Sequence, residues 1–77
     1  MRVKVYAPAL IDHSRLDKDG YLEIEDGASL RKVFDKLKVP VLLRPVLYYT
    51  VNYDRVKMSV RLKDGDVVSI IAPISGG

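Results

Sequence analysis

The sequence contains no cysteine. That excludes a disulfide scaffold, thiolate metal sites and a thiol nucleophile belonging to the chain itself. Histidine is nearly as scarce. His13 stands alone in a charged stretch, and zinc needs three or four converging ligands, so it reads as plain surface and no metal is expected. No run of apolar residues approaches the ~20 needed to span a bilayer. The opening segment, Met1 to Tyr6, alternates like a strand and does not resemble a signal peptide, so the reading is a cytoplasmic protein with no membrane contact. A stripe of one charge is missing as well. The 13 lysines and arginines are scattered among 10 acids for a net charge of +3. With no basic run interleaved with aromatics, nucleic acid is not an expected partner. The chain has no internal repeat, low-complexity tract or linker.

What is present fits one small domain spanning 1–77. A chain of 77 residues buries only about 60–65% of the surface its unfolded form exposes, so the core is thin and a deep catalytic pocket has little room. Arg2 to Ala7 reads as a first strand, with Val3 and Val5 on one side and Arg2, Lys4 and Tyr6 on the other. Lys18-Asp19-Gly20 signals a turn. Tyr21 to Glu25 reads as a second strand, with Leu22 and Ile24 inward and the glutamates solvated. Ser29 is placed to cap a helix through its hydroxyl. Leu30, Val33, Phe34 and Leu37 then form one apolar stripe, and Pro40 limits the helix.

Residues 39–46 are apolar but interrupted by Pro40 and Pro45. They read as a short helical turn or an irregular loop. Leu47 to Val51 is a third strand. Asn52-Tyr53-Asp54-Arg55 is a hairpin turn in which Asn52 or Asp54 tolerates positive φ, and Val56 to Met58 is a short return strand. Lys63-Asp64-Gly65-Asp66 is a further turn; it lacks the additional oxygens of a calcium loop. Val67 to Ala72 is apolar almost throughout and reads as a central strand. The first and last strands are both apolar enough to pair centrally, in parallel, with the helix across one face. The expected fold is α+β, a β-grasp: a mixed sheet of four to five strands with one main helix.

The chain then ends Ala72-Pro73-Ile74-Ser75-Gly76-Gly77. Two glycines without Cβ atoms can extend through a passage too narrow for other residues. A carboxylate presented on such a flexible tail, 73–77, is a handle that another enzyme can activate.

With this order and this tail, the sequence resembles the ubiquitin-like sulfur carriers of the ThiS/MoaD family. The resemblance lies in Gly27-Ala28-Ser29-Leu30-Arg31-Lys32-Val33-Phe34-Asp35-Lys36-Leu37, the family's turn into its helix. It continues in Val51-Asn52 with Asp54-Arg55-Val56, in Leu62-Lys63-Asp64-Gly65-Asp66-Val67-Val68, and in the terminal Gly-Gly. Tyr53 departs from it, standing where the family's hairpin often has glycine. The resemblance implies that a ubiquitin-activating-type enzyme adenylates Gly77 with ATP and magnesium. A sulfur-donor enzyme then converts it to a thiocarboxylate for molybdopterin, thiamine or tRNA sulfur chemistry. Gly76, Ser75 and Pro73 would form the delivering arm. The chain itself would bind no cofactor and would be a carrier, not an enzyme, acting in one branch of the family as the small subunit beside a synthase large subunit. The alternatives are a protein modifier joined through Gly77 to target lysines, and a non-covalent interaction domain. Strand phase adds a second element. Ile71 and Ser69 face away from the helix, Tyr48 and Thr50 join them, and the four are expected to form a partner-binding patch.

Overall fold

The computed structural model describes residues 1–9 and 11–73. Five strands form one sheet: β1 Arg2–Tyr6, β2 Tyr21–Glu23, β3 Tyr48–Val51, β4 Asp54–Arg55 and β5 Val67–Ile71. Their order across the sheet is β2-β1-β5-β3-β4. The chain ends of the fold meet at the centre, where β1 and β5 run parallel with Val5 opposite Val68. Every other pairing is antiparallel. This is the β-grasp expected from the sequence, with β5 central between β1 and β3.

The helix α1, Leu30–Lys36, lies over one face. Its whole predicted stripe is withdrawn from solvent: Leu30, Val33, Phe34 and Leu37 are each 0% exposed. They pack with Val3, Val5, Leu22, Val68 and Ile70 from the sheet. Phe34 meets the Tyr49 ring edge-on at 5.5 Å between centroids, the geometry the aromatic quadrupole favours. Ile11 and Leu62 complete the core from outside the strands and α1.

Both ends of α1 differ from the expectation. Ser29 is the N-cap, but its hydroxyl makes no capping bond. The free helix amides go to backbone carbonyls instead: Leu30 N–H donates to Val60 at 3.0 Å and Arg31 N–H to Met58 at 3.0 Å. The segment after β4 thus caps the helix, so Ser29 does not need to. The stop lies two residues before Pro40. Lys38 takes φ 56°, Lys38 N–H donates to Asp35 and Val39 N–H to Phe34. These are the two bonds of a Schellman close, with buried Val39 as its apolar contact.

Other boundaries move as well. The strand β2 stops at Glu23, and Ile24 continues buried outside it. The return strand is Asp54–Arg55 and not Val56–Met58. The reason is the turn: Asn52 and Tyr53 both take positive φ, 52° and 69°, giving a two-residue hairpin that brings the chain back at once. Residues 41–46 form a 3-10 helix, Val41–Val46, with no buried residue. Among the described residues, no helix is long and apolar enough to cross a membrane.

Candidate interaction face and C-terminal exit

The helix covers one side of the sheet and leaves the other open. Strand phase decides what that open side carries. Tyr48 pairs with Ile71 and Thr50 with Ser69 across β3 and β5. Tyr6 lies beside Ser69 across β1 and β5. The alternate positions, Val68, Ile70 and Val51, are buried. The four residues proposed from sequence phase therefore do share one face. They are not equally accessible: Tyr48 and Ile71 are 58% and 53% exposed, whereas Thr50 and Ser69 are half-buried. The sequence reading left out Tyr6, which is exposed at the same end of the sheet. Its alternation with Arg2 and Lys4 already placed it outward.

The open face is polarised along its strands. Toward the C-terminal end of β5 it carries Tyr6, Tyr48 and Ile71. Toward β2 it turns cationic. The Arg2 guanidinium stacks 4.3 Å over Tyr21 and donates to Asp17 at 2.7 Å. Lys4 lies 5.1 Å from the same ring and donates to the Asp19 carbonyl. These cations are partly spent on tyrosine faces and carboxylates. The Asp17 carboxylate accepts three bonds, from the Tyr21 and Asp19 amides and from Arg2. The Tyr21 amide is the main reason its carboxyl is held below the ordinary aspartate range, with Arg2 adding to it.

At the end opposite the exposed aromatics, polar groups lock the strands. Asn52 donates through Nδ2 to Asp66 at 3.0 Å and accepts through Oδ1 from the Val67 amide at 2.9 Å. Asp66 also accepts from the Lys63 amide at 2.8 Å. Arg2 N–H donates to Asp64 at 2.8 Å, and Gly65 N–H returns to the Arg2 carbonyl at 2.8 Å. Gly65 sits at φ 87°, which a Cβ would strain. The Lys-Asp-Gly-Asp turn is thus a clasp that fixes where β5 begins.

The strand β5 runs straight toward the C-terminus, and Pro73, exposed, is the last residue described. Ser75, Gly76 and Gly77, named above as arm and reactive end, lie outside the described residues. Among the described residues, no three His, Cys, Asp or Glu side chains come together as a metal site would require. His13 Nε2 sits 3.0 Å from the Pro8 carbonyl oxygen, a local loop contact.

The 3-10 helix was the least legible part of the sequence and proves the most unusual part of the surface. Arg44 pins it from below, donating to Asp35 at 3.0 Å and to the Val39 carbonyl at 3.1 Å and lying 5.8 Å over Phe34. Its apolar side chains point the other way: Val41 is 71% exposed and Leu42 90%.

A β-grasp sheet with an open face, its central strand leading into Gly-Gly, defines a small ubiquitin-like protein. The ThiS family model matches residues 13–77, and the chain belongs to that family. No curated protein matches it by sequence. Among solved structures it is similar to a protein described as molybdopterin converting factor subunit 1 from Pyrococcus furiosus. That pair shares 24% identity and a TM-score of 0.69 over 96% of this chain and 99% of the other. It is also similar to SAMP1 from Haloferax volcanii, with 16% identity and a TM-score of 0.68 over the whole of both chains. These likenesses establish the shared fold.

Proposed function

We propose that the protein is a sulfur carrier whose reactive group is the Gly77 carboxylate. The observation that carries this reading is the coincidence of ThiS-family membership over residues 13–77 with a central strand that leads into Pro73-Ile74-Ser75-Gly76-Gly77. A carboxylate is a poor electrophile at neutral pH, because its charge is delocalised and oxide is no leaving group. A partner of the ubiquitin-activating type overcomes this. One Gly77 oxygen attacks the α-phosphorus of ATP, pyrophosphate leaves, and magnesium on the partner offsets the developing charge. A hydrosulfide, or a donor-enzyme persulfide with a thiol reductant to follow, attacks the carbonyl carbon and AMP leaves. The product is a thiocarboxylate, a nucleophile that passes its sulfur to an acceptor.

The carrier contributes shape to these steps. Gly76 and Gly77 make the end slender, and Pro73 stiffens its base. Tyr48 and Ile71, with Thr50 and Ser69 behind them, form the pad on which the activating enzyme or a synthase large subunit rests. The chain's own chemical contribution is the Gly77 carboxylate, and after loading its sulfur; it is a carrier and not the catalyst. The test is mass spectrometry after incubation with an adenylating enzyme, ATP-magnesium and a sulfur source. The expected change is about +16 Da on the C-terminal peptide, oxygen exchanged for sulfur. No change with any cognate activating enzyme overturns the reading. The fold shared with SAMP1 also accommodates a second reading, an amide link from Gly77 to target lysines. Its sign is higher-mass conjugates in cells that vanish when Gly77 is deleted.

A further inference from the structure

We infer that the exposed 3-10 helix Val41–Val46 is a docking element for the enzyme that receives the tail, with Leu42 as its anchor. The inference rests on the proposed reading that Gly77 is acted on by such an enzyme. It begins with reach. From Pro73 to Gly77 the chain adds four residues, which span at most about 14 Å when fully extended. The enzyme that handles the terminal carboxylate must therefore bring its own surface within that distance of Pro73.

Topology decides what lies there. The antiparallel pairing of Tyr48 with Ile71 puts the residues just before β3 and just after β5 at the same end of the sheet. The 3-10 helix ends at Val46 and Tyr48 opens β3, so the helix flanks the exit. At about 2 Å rise per residue, its six residues cover roughly 12 Å, close to the reach of the tail itself. A globular partner closing on the tail meets the Val46 end of this helix first.

The helix is built to be covered. Val41, Leu42, Leu43 and Val46 are all exposed, and none of its residues is buried. Yet it is not loosely attached. Pro40 and Pro45 restrict its backbone, Leu43 N–H donates to the Pro40 carbonyl at 2.9 Å, and Arg44 fixes it to α1. A preorganised apolar knob loses little conformational freedom on binding. Tyr48 and Ile71 add further exposed apolar surface at the same end of the sheet. The matching surface is an apolar pad at the mouth of the partner's tail channel.

The experiment uses the full chain and an adenylating enzyme that thiocarboxylates it, with ATP-magnesium and sulfide, and follows pyrophosphate release. Leu42→Asp and Val46→Asp should each raise KM for the carrier about tenfold or more, the loss expected of an interface anchor, with kcat and the melting temperature nearly unchanged. A chain lacking Gly76 and Gly77 should still compete with wild type, and its Leu42→Asp version should not. An unchanged KM in both variants overturns the inference while leaving the carrier reading intact. So does a result in which Leu42→Asp only converts a dimer to a monomer, since the occupant is then a second copy. So does a parallel fall in melting temperature for Leu42→Asp and the milder Leu42→Gln. If the wild-type chain gives no pyrophosphate release with any activating enzyme, the carrier reading fails first and this one with it.

Discussion

The two ends of the sheet are built on opposite principles. At the end where β5 begins, polar groups saturate one another. Asn52, Asp66, Asp64 and the amides of Lys63, Val67 and Arg2 form a closed set of hydrogen bonds between 2.8 and 3.0 Å. At the end where β5 leaves for the tail, apolar side chains stand in water. Tyr6, Tyr48, Ile71 and the apolar side chains of the 3-10 helix are exposed, and among the described residues Arg44 holds that helix through side-chain hydrogen bonds to Asp35 and Val39. The difference teaches where each end's stabilising contacts come from. The clasped end is complete within the chain and sets the register of β5. The bare end costs solvation free energy in the isolated protein, and that cost is recovered only when another surface covers it. A domain of this size cannot bury everything; apart from Tyr53 in the hairpin turn, the large apolar side chains it leaves exposed lie at or near the end where β5 leaves the sheet or on the 3-10 helix.

Removing Gly76 and Gly77 gives the sharpest test of that division. Sulfur loading should fall to nothing, with no mass gain on the truncated chain. The melting temperature should move by less than about 1 °C, because two glycines bring no side chain to a core. A large drop would mean the tail end is structural after all and the contrast false. Phe34→Ala tests the opposite case. Phe34 is fully buried between the sheet and Arg44, and its loss should cost about 3–5 kcal/mol in chemical denaturation. It should leave loading per folded molecule unchanged. A defect in loading beyond the unfolded fraction would show that the core speaks to the exit.

The core stripe and the open face are the parts most legible in the sequence. The stripe Leu30, Val33, Phe34, Leu37 needs only the helical period to be seen, and strand alternation alone puts Tyr48, Thr50, Ser69 and Ile71 on one face. Less legible was everything fixed by long-range backbone partners. The cap at Ser29 belongs to Val60 and Met58, thirty residues away in the chain. The early β4 follows from Tyr53 accepting positive φ, which a bulky residue ordinarily resists. The 3-10 helix carries no amphipathic stripe. Its orientation comes from Arg44 finding Asp35 and Phe34, a contact no periodicity announces.

The clasp itself should yield to Asn52→Ala at about 1–2 kcal/mol. The substitution removes two side-chain bonds and leaves alanine at a left-handed φ it disfavours. Denaturant midpoints read the effect. Tyr53→Gly, at the neighbouring left-handed position, should act the other way and raise the midpoint, since glycine carries no such penalty. If Asn52→Ala proved neutral, the clasped end would be no firmer than the bare one.

The smallest expected effect lies on the cationic side, at Asp17 beside Arg2 and Tyr21. Its carboxylate accepts from the Tyr21 and Asp19 amides and from Arg2, and these bonds hold its pKa below the ordinary value. The unfolded chain binds that proton more readily than the folded one. The contribution to stability is therefore complete at pH above the usual aspartate range, about 4, and fades as the pH falls through the depressed folded value. Asp17→Asn removes this dependence. The difference in melting temperature between wild type and variant should be modest near neutral pH, because the site is exposed and screened, and should narrow steadily in acid. It should also shrink in high salt to the extent that Arg2 contributes and persist to the extent that the two amides do. A gap that stays constant from pH 7 to pH 3 would mean the bonds to Asp17 distinguish nothing between folded and unfolded chains. Arg2 would then be held no more firmly by Asp17 in the folded chain than in the unfolded one, and the cationic side of that face would count with the exposed apolar side chains in any docking.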